Sequence, residues 1–199
     1  FYPGQEEGNA VADILFGDVN PSGKLPVTFP KYYEDNPAYS YYPGENSELT
    51  YDEGIYVGYR HYDTKGIEPL FPFGFGLSYT TFKLSDIELN KEKINLDETI
   101  EVSCKVSNTG DVVGAEVVQL YIHDVESSID REYKSLKDFI RVELEPGEEK
   151  TVSFEINKDD LAYYDVQSSD WKAEPGKFKL MIGNSSRDIK LDAEFELVQ

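Results

Sequence analysis

Two small groups of residues have side chains suited to acid and base chemistry: the adjacent carboxylates Glu6 and Glu7, and the polar group Arg60, His61 and Asp63. Paired carboxylates serve as acid, base or nucleophile, and a histidine beside a carboxylate transfers protons near neutral pH. Consecutive residues of a helix point in different directions, so Glu6 and Glu7 do not suit one shared catalytic task. A histidine next to an arginine is more often a hydrogen-bonded interface residue, and we favour that interpretation of His61.

Cys104 is the single cysteine and lies in an alternating apolar run over residues 100–106, which favours a buried core residue over a reactive thiol. One cysteine forms no disulfide framework, so the cysteine content favours neither a cytoplasmic nor a secreted protein. Asn184, Ser185 and Ser186 match the pattern of an N-glycosylation acceptor, but so short a pattern arises readily by chance.

Aromatic residues form a third group of candidates. Tyrosines crowd residues 32–62, in a stretch that is also rich in Asn, Pro, Gly and Glu. Rings with polar tips suit sugar-binding surfaces and half-buried interfaces, and we favour interface packing over sugar contact. Trp171 follows a second aromatic cluster at residues 161–165. We expect it to cap a core between strands, the alternative being a platform for sugar binding.

The charge balance excludes two classes of partner. The 199 residues include 19 Lys and Arg against 39 Asp and Glu, a net charge of −20 at pH 7. A surface of this charge repels phosphate backbones and anionic lipids, so we expect neither nucleic acid nor a membrane as partner. Because 39% of the residues are apolar and 14% aromatic, the chain can form one or two folded domains.

Residues 1–68 resemble the end of an α/β unit in their element pattern. Residues 5–16 are predicted to form a helix, because apolar residues recur at helical spacing and Gly17 supplies a stop signal. Residues 24–30 are predicted to be extended between prolines, and residues 54–63 to form a strand. One helix and so few strands cannot cover each other's apolar faces, so we expect partner elements upstream. The start of the sequence, without Met or signal peptide, likewise indicates a piece of a longer protein.

Residues 69–79 divide the chain. Two prolines and two glycines interleaved with three phenylalanines suit neither a helix nor a central strand. Phenylalanine side chains are stabilised by burial, so we expect this connector to lie packed along a surface.

Residues 80–199 alternate apolar and polar side chains, with turn signals about every 8–12 residues, as an antiparallel sandwich does. The predicted strands lie at residues 82–89, 100–106, 118–122, 136–144, 152–156, 178–182 and 189–197. The first changes phase once, which indicates a bulge. Each strand is expected to keep its apolar residues on one face, and this part of the chain to fold by itself. The loop over residues 124–135 is too long for a tight turn, and loops of this length often contact a neighbour or carry function.

A series of motifs runs along nearly the whole chain. The first four are PGQEEGNA (residues 3–10), DILFGDVNPSGKLPVTFP (residues 13–30), EGIYVGYR (residues 53–60) and PLFPFGFGLSY (residues 69–79). In this order they resemble the late part of the second catalytic domain of glycoside hydrolase family 3, the β-glucosidase family. LKDF (residues 136–139), EPGE (residues 145–148) and EPG (residues 174–176) resemble the fibronectin type III-like domain that closes many members. Glu7 stands where the family usually has glycine.

The resemblance implies a mainly β fold: an antiparallel fibronectin type III-like sandwich over residues 80–199, preceded by the tail of an α/β domain (residues 1–68) and the connector (residues 69–79). It implies retaining hydrolysis of terminal β-linked sugars by two carboxyl groups. In the family the nucleophile is an aspartate of a (β/α)8 barrel, and the acid/base is a glutamate that precedes the first motif. Neither position is present in this sequence.

By this resemblance we expect no catalytic, cofactor-binding or metal-binding residue in the chain, and no cofactor. The expected partner is the remainder of the parent glycosidase, its barrel and the rest of its α/β domain, either in the same polypeptide or as a separate chain. The glycoside substrate would belong to the whole enzyme. The alternative is a freestanding carbohydrate-binding or protein-interaction module, which the incomplete α/β unit argues against.

Overall fold

The computed structural model describes residues 3–46 and 48–198. The helices are α1 (Glu7–Phe16), a 3-10 turn (Tyr33–Asp35), α2 (Tyr59–Lys65) and α3 (Lys158–Leu161). The strands are β1 (Phe82–Leu89), β2 (Lys93–Ile94), β3 (Ile100–Asn108), β4 (Gly114–Asp124), β5 (Ser135–Leu144), β6 (Glu149–Ile156), β7 (Tyr163–Asp165), β8 (Asp170–Lys172), β9 (Gly176–Gly183) and β10 (Ile189–Leu197). Within the described part of the chain, no helix is long and apolar enough to cross a membrane.

The strands form a sandwich of two sheets, with a small hairpin beside it. One sheet has the order β1-β3-β6, the other β2-β10-β9-β4-β5, and β7 pairs with β8. Neighbouring strands are antiparallel except for β2, which runs parallel to β10. The predicted mainly β sandwich is therefore confirmed.

Side chains from both sheets form one hydrophobic core. It is built from alternate positions of the strands, among them Val102, Leu120, Phe154 and Leu180. Cys104 is fully buried in this core, as predicted, and burial raises the pKa of its thiol to about 11. At neutral pH the thiol is therefore protonated and acts as a small apolar residue.

Each predicted strand is present, and the phase change in β1 is a bulge. The pairing of β1 with β3 shifts register between Ser85 and Glu88, and Asp86 has a positive φ of 54°. The prediction omitted three short strands, β2, β7 and β8, because segments of two or three residues have no measurable periodicity.

Helix α1 begins two residues after its predicted start and ends at Phe16 as predicted, with Gly17 as its C-cap. Residues 24–30, the extended segment, bend at Pro26 and Val27, and their regular pairing is limited to a bridge between Phe29 and Phe71. The N–H of Leu25 also donates to the carbonyl of Phe75 at 2.8 Å. The extended segment thus pairs with the connector.

The strand predicted over residues 54–63 is wrong, because residues 59–65 form helix α2. Gly58 precedes the helix with a φ of 58°, a left-handed conformation that breaks an extended chain. Tyr59 and Tyr62 then lie three residues apart, on the same face of a helix. The alternation that suggested a strand came from aromatic residues that the helix places together.

Candidate functional site

The N-terminal part of the chain has no hydrophobic core of its own. Among its described residues up to Glu68, Tyr62 is the single buried apolar side chain. Helix α1 buries none of its residues: Leu15 is 73% exposed and Phe16 is 85% exposed. The order of this part therefore depends on what it packs against.

On one side it packs against the outer face of β4. Every residue from Val118 to Ile122 is buried, so the prediction that each strand has one apolar face is wrong for β4. Gln119 Nε2 donates to the carbonyls of Gly74 (3.2 Å) and Asn184 (2.8 Å). A Cβ on Gly74 would lie 2.2 Å from Gln119 Oε1, so a side chain there would displace the Gln119 amide from its hydrogen bonds.

An ion pair and an asparagine fix the segment that follows α1. Lys24 Nζ lies 2.6 Å from Glu116 Oε1, and both side chains are largely buried. Asn20 donates from Nδ2 to the carbonyl of Val113 (2.9 Å), and its Oδ1 accepts from Ser78 Oγ (3.0 Å) and the Tyr79 N–H (2.8 Å). The turn after α1 is therefore tied to both the connector and the sandwich.

Helix α2 carries a buried ionic cluster. Asp63 pairs with Lys134 Nζ at 2.6 Å and with Arg187 Nε, and the side chains of Asp63 and Lys134 are 2% and 4% exposed. Burial lowers the pKa of Lys134, and the charge of Asp63 opposes that shift. Such a pair withstands desolvation only because opposite charges face each other closely.

The structure does not bring Arg60, His61 and Asp63 together as an acid/base group. Arg60 Nη2 donates to Ser135 Oγ at 3.3 Å, while Asp63 binds the two cations. The imidazole of His61 hydrogen bonds to the backbone of Asp35, and burial lowers its pKa. His61 is thus hydrogen-bonded, as we favoured, and its partner Asp35 belongs to the same N-terminal part.

Glu6 and Glu7 lie at the start of α1. Glu6 Oε2 accepts a hydrogen bond from Asn9 Nδ2 at 2.6 Å, and Glu7 lies in the first turn. Both residues are exposed. Carboxylates at this end of a helix stabilise it by interacting with the positive end of the helix dipole, which gives them a structural role.

The long loop between β4 and β5 contacts α2 and the segment before it. The Tyr133 N–H donates to Thr64 Oγ1 at 2.9 Å, next to the Lys134–Asp63 pair. A hydrogen bond with Asp130, aided by burial, raises the pKa of Tyr56 to about 12. The loop is thus one side of the interface between the two parts of the chain.

One further expectation is wrong. Trp171 does not cap the core: it is 67% exposed on the β7–β8 hairpin, where its ring meets Tyr164 edge to face at 5.7 Å. The glycosylation pattern lies in a largely buried turn, where Ser185 and Ser186 are almost fully enclosed and Asn184 Oδ1 is inaccessible. This turn packs against the connector instead, since the Ser186 N–H donates to the Phe73 carbonyl at 2.9 Å.

An apolar groove opens beside helix α1, and Arg141 of β5 forms part of its wall. It has a volume of about 830 Å³. Its apolar lining comes from α1, the extended segment and the connector: Ile14, Val19, Leu25, Phe29, Phe71, Phe75 and Leu77. The exposed Leu15 and Phe16 of α1 adjoin it in sequence. Together, groove and helix form an apolar surface of the kind that marks a protein interface.

Sequence reasoning did not identify Glu116, Gln119 or Arg187 as interface residues. The available signal was in β4, where the polar Glu116 and Gln119 interrupt an otherwise apolar run. Partnered polar residues in a strand buried on both faces mark a second interface behind the sheet.

Two family models match separate parts of the chain. Residues 1–59 match the family described as glycosyl hydrolase family 3 C-terminal domain, and residues 116–186 match the fibronectin type III-like domain. The chain is 56% identical over 188 residues to thermostable beta-glucosidase B of Acetivibrio thermocellus, a match that covers 94% of this chain and 25% of that protein. It is 46% identical over 201 residues to a beta-glucosidase of Rhizobium radiobacter, covering 99% of this chain and 24% of that protein.

The fold agrees with a solved relative. The structure of beta-glucosidase 3B from Thermotoga neapolitana in complex with alpha-D-glucose superposes with a TM-score of 0.90 at 44% identity, covering 98% of this chain and 27% of that chain. The present chain thus spans about a quarter of the length of these relatives. It belongs to glycoside hydrolase family 3, of which it comprises the end of the α/β domain and the fibronectin type III-like domain.

Proposed function

We propose that this chain is part of a retaining β-glucosidase, in which it completes and stabilises the fold without supplying a catalytic carboxyl group. The apolar surface carries this proposal: α1 buries none of its residues, and an open apolar groove adjoins it. Relatives that match almost the whole chain are about four times as long, and they are named beta-glucosidases. The rest of such a protein is the natural occupant of this surface.

The chemistry supports a noncatalytic role. A retaining glycosidase needs two carboxyl groups about 5–5.5 Å apart, one on each side of the bond that breaks. The family resemblance assigns both groups to parts of the protein outside this sequence. The buried carboxylates of the interface, Asp63 and Glu116, are each neutralised by cations of the same chain. They hold the fold together instead of facing a substrate.

The proposal includes a division of labour along the chain. Residues 1–68 would complete the α/β domain, and residues 69–79 would connect it to the sandwich. Residues 80–199 would support the N-terminal part through the outer face of β4. The remainder of the glycosidase, as the same polypeptide or a separate chain, would cover the groove. The glycoside would bind to the assembled protein. Each fully buried Leu or Phe of this surface would then contribute about 1.5–3 kcal/mol.

The test compares the purified chain, the complete polypeptide and the chain mixed with the missing part, each assayed on an aryl β-glucoside. We expect no turnover by the chain alone, turnover by the complete polypeptide, and recovery on mixing. Appreciable turnover by the chain alone would contradict the noncatalytic role. Tight sugar binding by the chain alone, measured by calorimetry, would favour a freestanding carbohydrate-binding module, for which the exposed Trp171 is the obvious contact.

Matched variants in the complete polypeptide test the carboxylates of α1. Glu6→Gln and Glu7→Gln are each expected to leave turnover within about tenfold, because a catalytic carboxylate costs far more. A loss of about a thousandfold at either position, with folding intact, would restore an acid/base role.

A further inference from the structure

The tyrosine-rich segment (residues 31–58) is held to the rest of the chain at its two ends. Before it, the N–H of Phe29 donates to the carbonyl of Phe71, and Lys24 pairs with Glu116 of β4. After it comes helix α2, which packs on the sandwich. The segment is therefore a loop with both ends attached to one rigid support.

Between these ends, the segment has few polar ties to the sandwich. For its described residues up to Ile55, the hydrogen bonds run within the segment, as from Tyr41 to Glu53 at 2.7 Å, or to His61 of α2. Exposed tyrosines occur along it: Tyr32, Tyr33, Tyr39, Tyr42 and Tyr51. The order of this surface thus depends on how firmly α2 is held.

Helix α2 is held by hydrogen bonds, ring stacking and one ionic cluster. The Leu136 N–H donates to the Tyr59 hydroxyl at 2.8 Å, and the Tyr59 ring stacks on Phe73 at 4.7 Å. Arg187 Nη2 donates to the carbonyls of Tyr62 and Ile67, both at 2.9 Å. These contacts position the helix at Tyr59, at Tyr62 and at Ile67, which follows it.

The ionic cluster joins α2 to two separate loops of the sandwich. Lys134 belongs to the β4–β5 loop and Arg187 to the β9–β10 turn, and both bind the carboxylate of Asp63. Among the described residues, the only other acid paired with either cation is Glu68, which is exposed and 3.8 Å from Arg187 Nη1. Without the Asp63 charge, Lys134 would be a buried cation with no counterion, which is strongly unfavourable.

We propose that Asp63 is an electrostatic latch that locks α2 across these two loops and thereby orders the tyrosine-rich segment. Neutralising one carboxylate would release the helix, and the segment before it would lose one of its two attachments. This last step rests on the proposed function: the ordered tyrosine-rich surface would face the remainder of the glycosidase.

Hydrogen exchange measured by mass spectrometry on the 199-residue chain tests the latch. Asp63→Asn is expected to speed amide exchange in α2 and the tyrosine-rich segment at least about tenfold, with β3 and β6 unchanged, because only a local unit opens. Arg187→Met should show the same selective change. The matched control is Asp192→Asn, which removes a carboxylate from an exposed pair with Lys179 within the sandwich and should leave α2 protected.

Two results would overturn the latch. The first is that α2 in Asp63→Asn exchanges its amides as slowly as in the wild type. The second is that exchange in β3 and β6 rises as much as in α2, which would show that Asp63 supports global stability only. Exchange does not depend on glycoside hydrolysis, so a failure of the proposed enzymatic role would leave this test intact. Conversely, a failed latch would not change the activity assays.

Discussion

At the scale of single residues, Glu174 connects separate parts of the sandwich. Its Oε1 accepts hydrogen bonds from Ser128 Oγ and the Tyr163 hydroxyl, both at 2.7 Å, and lies 3.3 Å from Lys172 Nζ. These hydrogen bonds, Ser128 first, lower the pKa of Glu174 from 4.5 to about 2. The ionised carboxylate therefore joins the long loop to the β7–β8 hairpin.

A pH dependence follows from the lowered pKa of Glu174. Its contribution to stability is complete above the unfolded-state pKa of 4.5 and is lost as the pH falls towards 2. Glu174→Gln is expected to lower the free energy of unfolding by about 1 kcal/mol at pH 7, a modest loss because the group is near the surface. The difference from the wild type should shrink between pH 4.5 and 2 in urea titrations.

Glu155→Gln is the matched control for this titration, since the side chain of Glu155, on β6, makes no hydrogen bond or ion pair with the described residues. It should change stability little at any pH. A constant difference between Glu174→Gln and the wild type from pH 7 to 2 would show that charge is not the cause.

Single residues also show where sequence reasoning succeeds. Cys104 was predicted correctly because its apolar neighbours alternate strictly, and burial follows directly from period two. Trp171 was predicted wrongly because its exposure depends on a three-residue hairpin with no periodicity of its own. The partners of Asp63 are 71 and 124 positions away in the sequence. No local pattern identifies pairs at that separation.

At the scale of elements, the strands of the sandwich were predictable and their surroundings were not. Alternation locates β3 and β6 because one face of each meets the common core. β4 also has a buried outer face, which only the fold of the preceding residues explains. Helix α2 was missed because its aromatic residues resemble a strand until Gly58 and the sandwich fix its conformation.

A substitution in the connector measures how much a half-buried aromatic residue contributes to the free energy of unfolding. The phenylalanines of the connector were expected to be packed, and Phe73 is partly buried, with its ring stacked on Tyr59 at 4.7 Å. Full burial would make Phe73→Ala cost about 3–5 kcal/mol, so partial burial predicts about 1–3 kcal/mol. Leu77→Ala is the control, because Leu77 is largely exposed. Urea unfolding measures both, and equal small losses below about 0.5 kcal/mol would show that the connector is a loosely attached linker.

At the scale of the whole molecule, the two parts of the chain differ in what they can bury. The sandwich encloses a continuous core between two sheets, whereas the described residues up to Glu68 bury one apolar side chain. The N-terminal part therefore takes its order from the outer face of β4 on one side. The apolar groove beside α1 remains open in this chain.

We therefore expect residues 80–199 to fold cooperatively when expressed alone, and residues 1–79 to show no cooperative transition. The isolated sandwich should be less stable than the complete chain, because removal of residues 1–79 exposes Gln119 and Tyr121 and leaves Lys134 and Glu116 without their counterions. An unpaired buried charge is unfavourable, although exposure to water in the isolated sandwich relieves part of that cost. Thermal unfolding followed by near-ultraviolet circular dichroism measures all three proteins. A cooperative transition for residues 1–79, or none for residues 80–199, would contradict the division. A sandwich as stable as the complete chain would instead show that the interface on β4 orders the N-terminal part without stabilising the sandwich in return.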